Sequence, residues 1–125
     1  EKRTAMAAKQ IFIVEDEALL LCELEDLVVD LGYELAGSAT SVDRAMDKLS
    51  DGLLPDAALL DLNLNGMPSD PVADRLVERG VPIIFVSGYG ARGLDERFSG
   101  FDVLQKPYDE TALADALKRA LDAKG

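Results

Sequence analysis

The chain has 125 residues, of which 48% are hydrophobic, so it is long enough for one domain with a buried core. Its formal charge of −11 argues against contact with nucleic acid, because duplex binding depends on Lys and Arg side chains that neutralise phosphates. One cysteine and no histidine exclude a disulfide framework within the chain, a multi-cysteine zinc site, and Ser-His-Asp or Cys-His catalysis.

The acidic residues are concentrated in the first half of the chain. Residues 10–61 contain thirteen acidic and two basic residues, which is typical of a solvated acidic surface. No apolar run approaches the roughly 20 residues of a membrane helix, and residues 1–9 lack the apolar stretch of a secretory signal. We therefore expect a cytoplasmic protein without membrane contact, with residues 1–9 as a tail or expression remnant and residues 10–125 as one domain.

Short apolar runs alternate with longer amphipathic segments along the chain. The apolar runs predict strands at residues 10–14, 33–39, 56–60, 81–86 and 101–104. The amphipathic segments predict helices at residues 17–31, 41–49, 69–79, 91–98 and 109–121. The fourth of these helices has a weak pattern, because Gly93 lies inside it and few of its residues are apolar.

A strand followed by a helix, repeated five times, predicts right-handed crossovers and a parallel sheet covered on both faces. Five such strands fit the flavodoxin-like, doubly wound α/β fold, a (βα)5 arrangement with strand order 2-1-3-4-5. In folds of this kind ligands bind beyond the carboxyl ends of the strands. The residues that follow each strand are therefore the candidates for a functional site.

Polar side chains follow four of the five predicted strands. Glu15 and Asp16 follow the first strand, Asp61 the third, Ser87 the fourth and Lys106 the fifth. Glu17, which also follows the first strand, is interpreted as the cap of the next helix. Carboxylates crowded together repel one another, and a hard divalent cation such as Mg²⁺ relieves that repulsion. Acids that merely cap helices are the alternative interpretation.

A carboxylate beside a metal ion can accept a phosphoryl group. Asp61 is the natural nucleophile, because an ionised carboxylate needs no external base. Lys106 would place a positive charge near the phosphoryl oxygens, and Ser87 would donate a hydrogen bond to them.

Four segments resemble the signature blocks of the response-regulator receiver domain of two-component signalling. They are Val14-Glu15-Asp16-Glu17, Leu60-Asp61-Leu62-Asn63-Leu64-Asn65-Gly66, Val86-Ser87-Gly88-Tyr89 and Lys106-Pro107. The resemblance implies that a histidine kinase or histidine phosphotransfer protein phosphorylates Asp61, within a two-component system or phosphorelay. It implies that Asp16, Asp61 and the backbone carbonyl of Asn63 bind Mg²⁺, and that Glu15 helps through water. It also implies that the chain is not an enzyme beyond its own phosphorylation and dephosphorylation, and that it signals to a downstream protein partner.

One departure from the family pattern concerns the switch that reports phosphorylation. Typical receivers have Tyr or Phe three residues before the last lysine, where this chain has Val103. The fourth strand instead resembles the Pro-Phe-x-Phe-x-Thr-Gly-Tyr motif of the FAT GUY subfamily, with Ile83 at the first Phe and Ser87 at the Thr. We therefore expect the segment Ser87, Gly88 and Tyr89 to provide the switch.

Two other functions remain open from the sequence. A haloacid-dehalogenase-like phosphohydrolase also uses an Asp after a strand, a Ser or Thr, a Lys and Mg²⁺. That class usually has a second Asp two residues after the nucleophile, where this chain has Asn63, and a cap domain, which this chain lacks. The third possibility is a pseudo-receiver that binds partners without phosphorylation, but no site residue is lost.

Overall fold

Strands and helices alternate through residues 8–89 and 92–124, the part of the chain that the computed structural model describes. Its strands are β1 (Gln10–Val14), β2 (Glu34–Ala39), β3 (Ala57–Asp61), β4 (Asn63–Leu64), β5 (Met67–Pro68), β6 (Ile83–Ser87) and β7 (Asp102–Gln105). Its α-helices are α1 (Ala18–Asp30), α2 (Val42–Ser50), α3 (Asp70–Glu78) and α4 (Glu110–Lys124).

The main sheet has five parallel strands in the order β2-β1-β3-β6-β7. This order confirms the predicted doubly wound, flavodoxin-like fold, since these strands are the first to fifth of the predicted set. The chain runs from β1 outward to β2 and then returns to β3 on the other side of β1. The carboxyl ends of β1 and β3 therefore lie at the topological switch point, where this fold opens a crevice for ligands.

Successive side chains of the central strands point to opposite faces, and each face has its own core. On one face Phe12, Leu60 and Phe85 pack with apolar residues of α2 and α3. On the other face Ile13 and Leu59 pack with apolar residues of α1 and α4. Because both faces are covered, β1, β3 and β6 are almost wholly apolar, and the site is confined to the strand ends.

The predicted helix over residues 91–98 is wrong where the structure describes it. Residues 92–95 form turns and extended chain, and only Glu96–Phe98 forms a single 3-10 turn. Gly93 has a φ of +87°, which is outside the helical range and ends any helical run there. Residues 90 and 91 lie outside the described part.

The segment after Gly93 is attached to the body of the domain by aromatic and ionic contacts. Phe98 packs against Phe85 of β6, with ring centroids 5.4 Å apart, and against Phe101 at 5.5 Å. The Arg97 guanidinium forms an ion pair with Asp74 of α3 at 2.9 Å. The residues after Gly93 are therefore fixed at their far end, while the residues before it border the site.

A short antiparallel hairpin of β4 and β5 follows β3 and was not predicted. Its turn is Asn65-Gly66, with φ values of +56° and +83°. An Asn-Gly pair with positive φ at both residues is the preferred turn of a two-residue hairpin. The Asn-Gly dipeptide in the sequence indicates such a turn, but the strands on either side are too short to give an alternating pattern.

Most of the predicted N-terminal tail, residues 1–7, lies outside the described residues. Lys9 already takes part in the sheet region, because its carbonyl accepts a hydrogen bond of 2.9 Å from the Glu34 N–H. Among the described helices, none combines the length and the apolar character that a bilayer crossing requires.

Candidate functional site

Four strands of the sheet bring the predicted site residues to one edge. Glu15 and Asp16 follow β1, Asp61 is the last residue of β3, Ser87 is the last residue of β6, and Lys106 follows β7. The side chains of Asp61, Ser87 and Lys106 line one cleft of about 700 Å³, together with Asp16. The strand-end rule therefore located these residues correctly.

The centre of the site is an ion cluster of one ammonium and two carboxylates. Lys106 Nζ lies 2.9 Å from Asp61 Oδ2 and 3.3 Å from Glu15 Oε1. Glu15 is 1% exposed and Asp61 is 7% exposed. One positive charge thus faces two buried negative charges, so the cluster carries an excess of negative charge when all three groups are ionised.

Backbone N–H groups hold the three carboxylates in place. The Glu17 N–H donates to Glu15 Oε2 at 3.0 Å, and the Asn63 N–H donates to Asp61 Oδ1 at 3.0 Å. The Asn65 N–H of the hairpin turn donates to Asp16 Oδ2 at 2.9 Å. Each carboxylate is therefore oriented by the backbone and keeps a second oxygen for a cation.

Those carboxylates form a group that could hold a metal ion. Glu15, Asp16 and Asp61 each offer an oxygen, and these oxygens lie within 4.8 Å of one another. A set of oxygen ligands without nitrogen or sulfur suits a hard divalent cation such as Mg²⁺. The residues predicted as carboxylate ligands are thus brought together.

Burial and crowding shift the acid–base properties of the cluster. Burial, and then the neighbouring Asp16 and Asp61 carboxyls, raise the pKa of Glu15 from 4.5 to about 7, against the opposing hydrogen bond from the Glu17 N–H. Burial alone would lower the pKa of Lys106, but the hydrogen bond and charge of Asp61, with those of Glu15, raise it overall. Lys106 therefore stays charged at neutral pH, while Glu15 keeps its proton to a higher pH than an ordinary glutamate does.

The predicted switch residues border the same cleft. Ser87 is buried, and its Oγ accepts a hydrogen bond of 3.0 Å from the Tyr89 N–H. The Tyr89 side chain is 73% exposed, and a Cβ added at Gly88 would meet open space. The Ser87 hydroxyl is therefore linked through one hydrogen bond to a residue whose side chain is mostly exposed.

Asn63 lies in the cleft, but its side chain faces the hairpin turn. Its Oδ1 accepts a hydrogen bond of 2.7 Å from the Gly66 N–H. This contact helps to close the turn that positions the Asn65 N–H on Asp16. The predicted role of the Asn63 carbonyl as a metal ligand stays a prediction.

Two charged residues of the cleft were not identified from the sequence. Glu17 is the N-cap of α1, but its side chain forms no capping hydrogen bond, and it lines the cleft instead. The predicted N-cap position of Glu17 is confirmed, but the expected capping hydrogen bond to its carboxylate is not formed. The Glu17 N–H itself donates to the Glu15 carboxylate. Arg92 also lines the cleft. No sequence pattern marks it, because its place depends on the path of the loop after β6.

We expect the metal-free protein to become more stable as the pH falls from about 8 to about 6. The pKa of Glu15 is about 7 in the folded protein against an ordinary value of 4.5, so the folded protein holds this proton more tightly. The stabilisation from this group is complete below 4.5 and is lost as the pH rises through about 7. Thermal unfolding in EDTA measures the effect, with no histidine to titrate in the same range.

The control for this experiment is Glu15→Gln, which cannot titrate and should show a flatter dependence of the melting temperature on pH. A wild-type melting temperature that increases between about pH 6 and about pH 8 would contradict the expected sign.

Comparison with known families gives one match over most of the chain. The family described as the response regulator receiver domain matches residues 11–118. The phyllosphere-induced regulator PhyR of Methylorubrum extorquens is 33% identical over 117 residues, which are 91% of this chain and 44% of the regulator. The chain thus spans less than half the length of the first two curated relatives that it matches.

Two solved structures resemble the chain along nearly their whole length. The receiver domain of Erythrobacter litoralis PhyR has a TM-score of 0.82 and 30% identity, with 94% of this chain and 93% of that one covered. SdrG from Sphingomonas melonis has a TM-score of 0.75 and 39% identity, with 94% and 96% covered.

Proposed function

The chain belongs to the response regulator receiver domain family, and we propose that its Asp61 accepts a phosphoryl group from a histidine kinase or a histidine phosphotransfer protein. The observation that carries the proposal is the hydrogen-bonded ion pair of 2.9 Å between Asp61 and Lys106, inside a cleft open to a donor. Membership of the family itself implies a kinase or phosphotransfer partner for the chain.

The residues present fit Mg²⁺, because three carboxylates offer oxygens within 4.8 Å and no softer ligand accompanies them. Glu15, Asp16 and Asp61 would hold the ion, with the backbone carbonyl of Asn63. When bound, Mg²⁺ supplies positive charge that balances the carboxylates and the phosphoryl oxygens.

The transfer step uses the ionised Asp61 directly. One carboxylate oxygen of Asp61 forms the new O–P bond while the P–N bond to the donor imidazole breaks, and the imidazole leaves with that electron pair. Lys106 stabilises the negative charge of the phosphoryl oxygens. Ser87 Oγ accepts the Tyr89 N–H, so its own proton is free to be donated to a phosphoryl oxygen. We expect no other enzymatic activity.

We propose that the Ser87-Gly88-Tyr89 segment is the switch, as in the FAT GUY subfamily. A Ser87 hydroxyl drawn towards a phosphoryl group would loosen its hydrogen bond with the Tyr89 N–H, now 3.0 Å long. Val103, at the usual aromatic switch position, is half-buried against the core of the α2 and α3 face. NMR spectra with and without beryllofluoride test this, and unchanged signals from Ser87 to Phe98 would contradict it.

The output that we propose is a change in binding to a downstream protein, without contact with nucleic acid or membrane. The excess of acidic residues supports this, because a surface of that charge repels phosphates. We further propose a cytoplasmic location, where kinases that draw on ATP act.

Incubation of the chain with acetyl phosphate and Mg²⁺, followed by intact-mass measurement, tests the function. We expect one phosphoryl group per chain, no modification in EDTA, and no sustained turnover of small phosphate esters. Sustained turnover would favour a phosphohydrolase, and absence of any modification would favour a pseudo-receiver.

Addition of Mg²⁺ should raise the melting temperature of the wild type and not that of Asp16→Ala. A ligand that binds only the folded state stabilises it by about 2.7 kcal/mol at roughly 100 times its dissociation constant. Differential scanning calorimetry at constant ionic strength measures this. Asp26→Ala, an exposed position of α1, is the matched control and should respond as the wild type does. An equal response in Asp16→Ala would remove Asp16 from the metal site.

A further inference from the structure

Arg92 is a positively charged residue of the cleft that has no role in the proposed phosphoryl transfer. Arg92 lines the same cleft as Asp61 and Lys106 and is exposed to solvent. Its N–H donates a hydrogen bond of 3.3 Å to the Tyr89 carbonyl, so Arg92 is held next to another residue of the cleft. Asp61 and Lys106 lie at strand ends that are distant from Arg92 in sequence, and they line the same cleft.

Among the arginines that the structure describes, Arg92 is one of two whose guanidinium has no partner among the described residues. Four arginines of the described part have partners for their side chains, which are Arg75, Arg79, Arg97 and Arg119. Within residues 8–89 and 92–122, the guanidinium groups of Arg92 and Arg44 form neither an ion pair nor a hydrogen bond. Arg44 is on α2 and does not line the cleft, whereas Arg92 does.

Phosphorylation would add negative charge to this cleft, which a further cation would balance. A phosphoryl group carries about −1.5 to −2 charge and three acceptor oxygens. The ammonium of Lys106 is already shared between Asp61 at 2.9 Å and Glu15 at 3.3 Å. Arg92 and Lys106 are the cationic residues among those described along the cleft. A guanidinium presents up to five N–H donors in a fork that matches phosphoryl oxygens.

We propose that Arg92 binds the outer oxygens of the phosphoryl group on Asp61, as a second cation beside Lys106; this rests on the proposed function. The Arg92 side chain is exposed, and with the residues that the structure describes it forms no ion pair or hydrogen bond that an inward turn would break. Gly93, with its φ of +87°, lets the chain change direction directly after Arg92. Arg92 therefore recognises the phosphorylated form of the site and has no part in binding the metal.

The test compares Arg92→Ala, Arg92→Lys and Arg44→Ala with the wild type, with beryllofluoride as the phosphoryl analogue. We expect Arg92→Ala to weaken beryllofluoride binding about tenfold, since a hydrogen bond to a charged group is lost. Arg92→Lys should lose less, and Arg44→Ala, which removes an equally unpaired charge elsewhere, should match the wild type. Mg²⁺ affinity is measured separately by calorimetry and should be unchanged or tighter in Arg92→Ala, because a cation has left an acidic cleft.

A purely structural role for Arg92 would weaken Mg²⁺ and beryllofluoride binding together, and that result would overturn the inference. Equal beryllofluoride affinities for Arg92→Ala, Arg44→Ala and the wild type would overturn it as well. A wild type that binds Mg²⁺ but no beryllofluoride would instead overturn the proposed function and, with it, this inference.

Discussion

Asp61→Asn should take up no phosphoryl group from acetyl phosphate under conditions that modify the wild type. The amide oxygen of Asn is a poor nucleophile, while the substitution keeps the shape of the side chain and the acceptor for the Asn63 N–H. The nearest other carboxylates do not replace it. Glu15 is 1% exposed, and Asp16 is oriented by the hairpin through the Asn65 N–H. Intact-mass measurement after incubation with acetyl phosphate and Mg²⁺ reads the result directly.

The matched control is Asp47→Asn, an exposed position on α2, which should be modified to the same extent as the wild type. Modification of Asp61→Asn at the wild-type level would show that another residue is the acceptor. Hydroxylamine treatment of the wild type adds a second readout, because it releases a phosphoryl group from an acyl phosphate and leaves a phosphoserine intact.

Lys106→Met should slow phosphorylation by about 10²–10³-fold, the usual effect of removing one preorganised donor from a developing oxyanion. The Lys106 ammonium lies 2.9 Å from the Asp61 oxygen, so it is already in place when a phosphoryl group arrives. Methionine keeps the length of the side chain without its charge. The initial rate of phosphoryl incorporation at a fixed concentration of acetyl phosphate measures the loss.

The Mg²⁺ affinity of this variant shows whether slow phosphorylation comes from the missing ammonium or from a disrupted fold. Removing the ammonium leaves Glu15 and Asp61 with less positive charge nearby, so Lys106→Met should bind Mg²⁺ at least as tightly as the wild type. Lys48→Met, at an exposed position of α2, controls for the general change in net charge and should be phosphorylated at the wild-type rate. A Lys106→Met rate within about twofold of the wild type would exclude Lys106 from the transfer step.

The central strands of the sheet could be predicted from the sequence because they are buried on both faces. Predicted strands at 10–14, 56–60 and 81–86 differ from β1, β3 and β6 by at most two residues at either end. Continuous apolar runs of that length, between helical segments, favour a parallel sheet. Once the strand order is known, the positions of Asp16, Asp61 and Lys106 follow, because parallel strands end at the same edge.

Sequence reasoning failed where loop geometry decides the structure. Gly93 already weakens the helix pattern at 91–98, but the pattern does not reveal that this glycine has the positive φ that breaks the helix. The Asn65-Gly66 hairpin is set by two backbone conformations rather than by periodicity. Arg92 lines the cleft next to Tyr89, to whose carbonyl its N–H donates, and no spacing along the chain encodes that position. Local backbone conformation, rather than hydrophobic pattern, determines these features.

The hydrogen bond between the Ser87 hydroxyl and the Tyr89 N–H has a thermodynamic consequence that reaches beyond the domain. Under the proposed switch, phosphorylation and the position of the Tyr89 loop are linked, and linkage between two binding events is reciprocal. If a phosphoryl analogue raises the affinity of the domain for a partner protein that binds this loop in its altered position, the partner must raise the affinity of the domain for the analogue. The factor is the same in both directions. The downstream partner would then also favour the phosphorylated form of the domain.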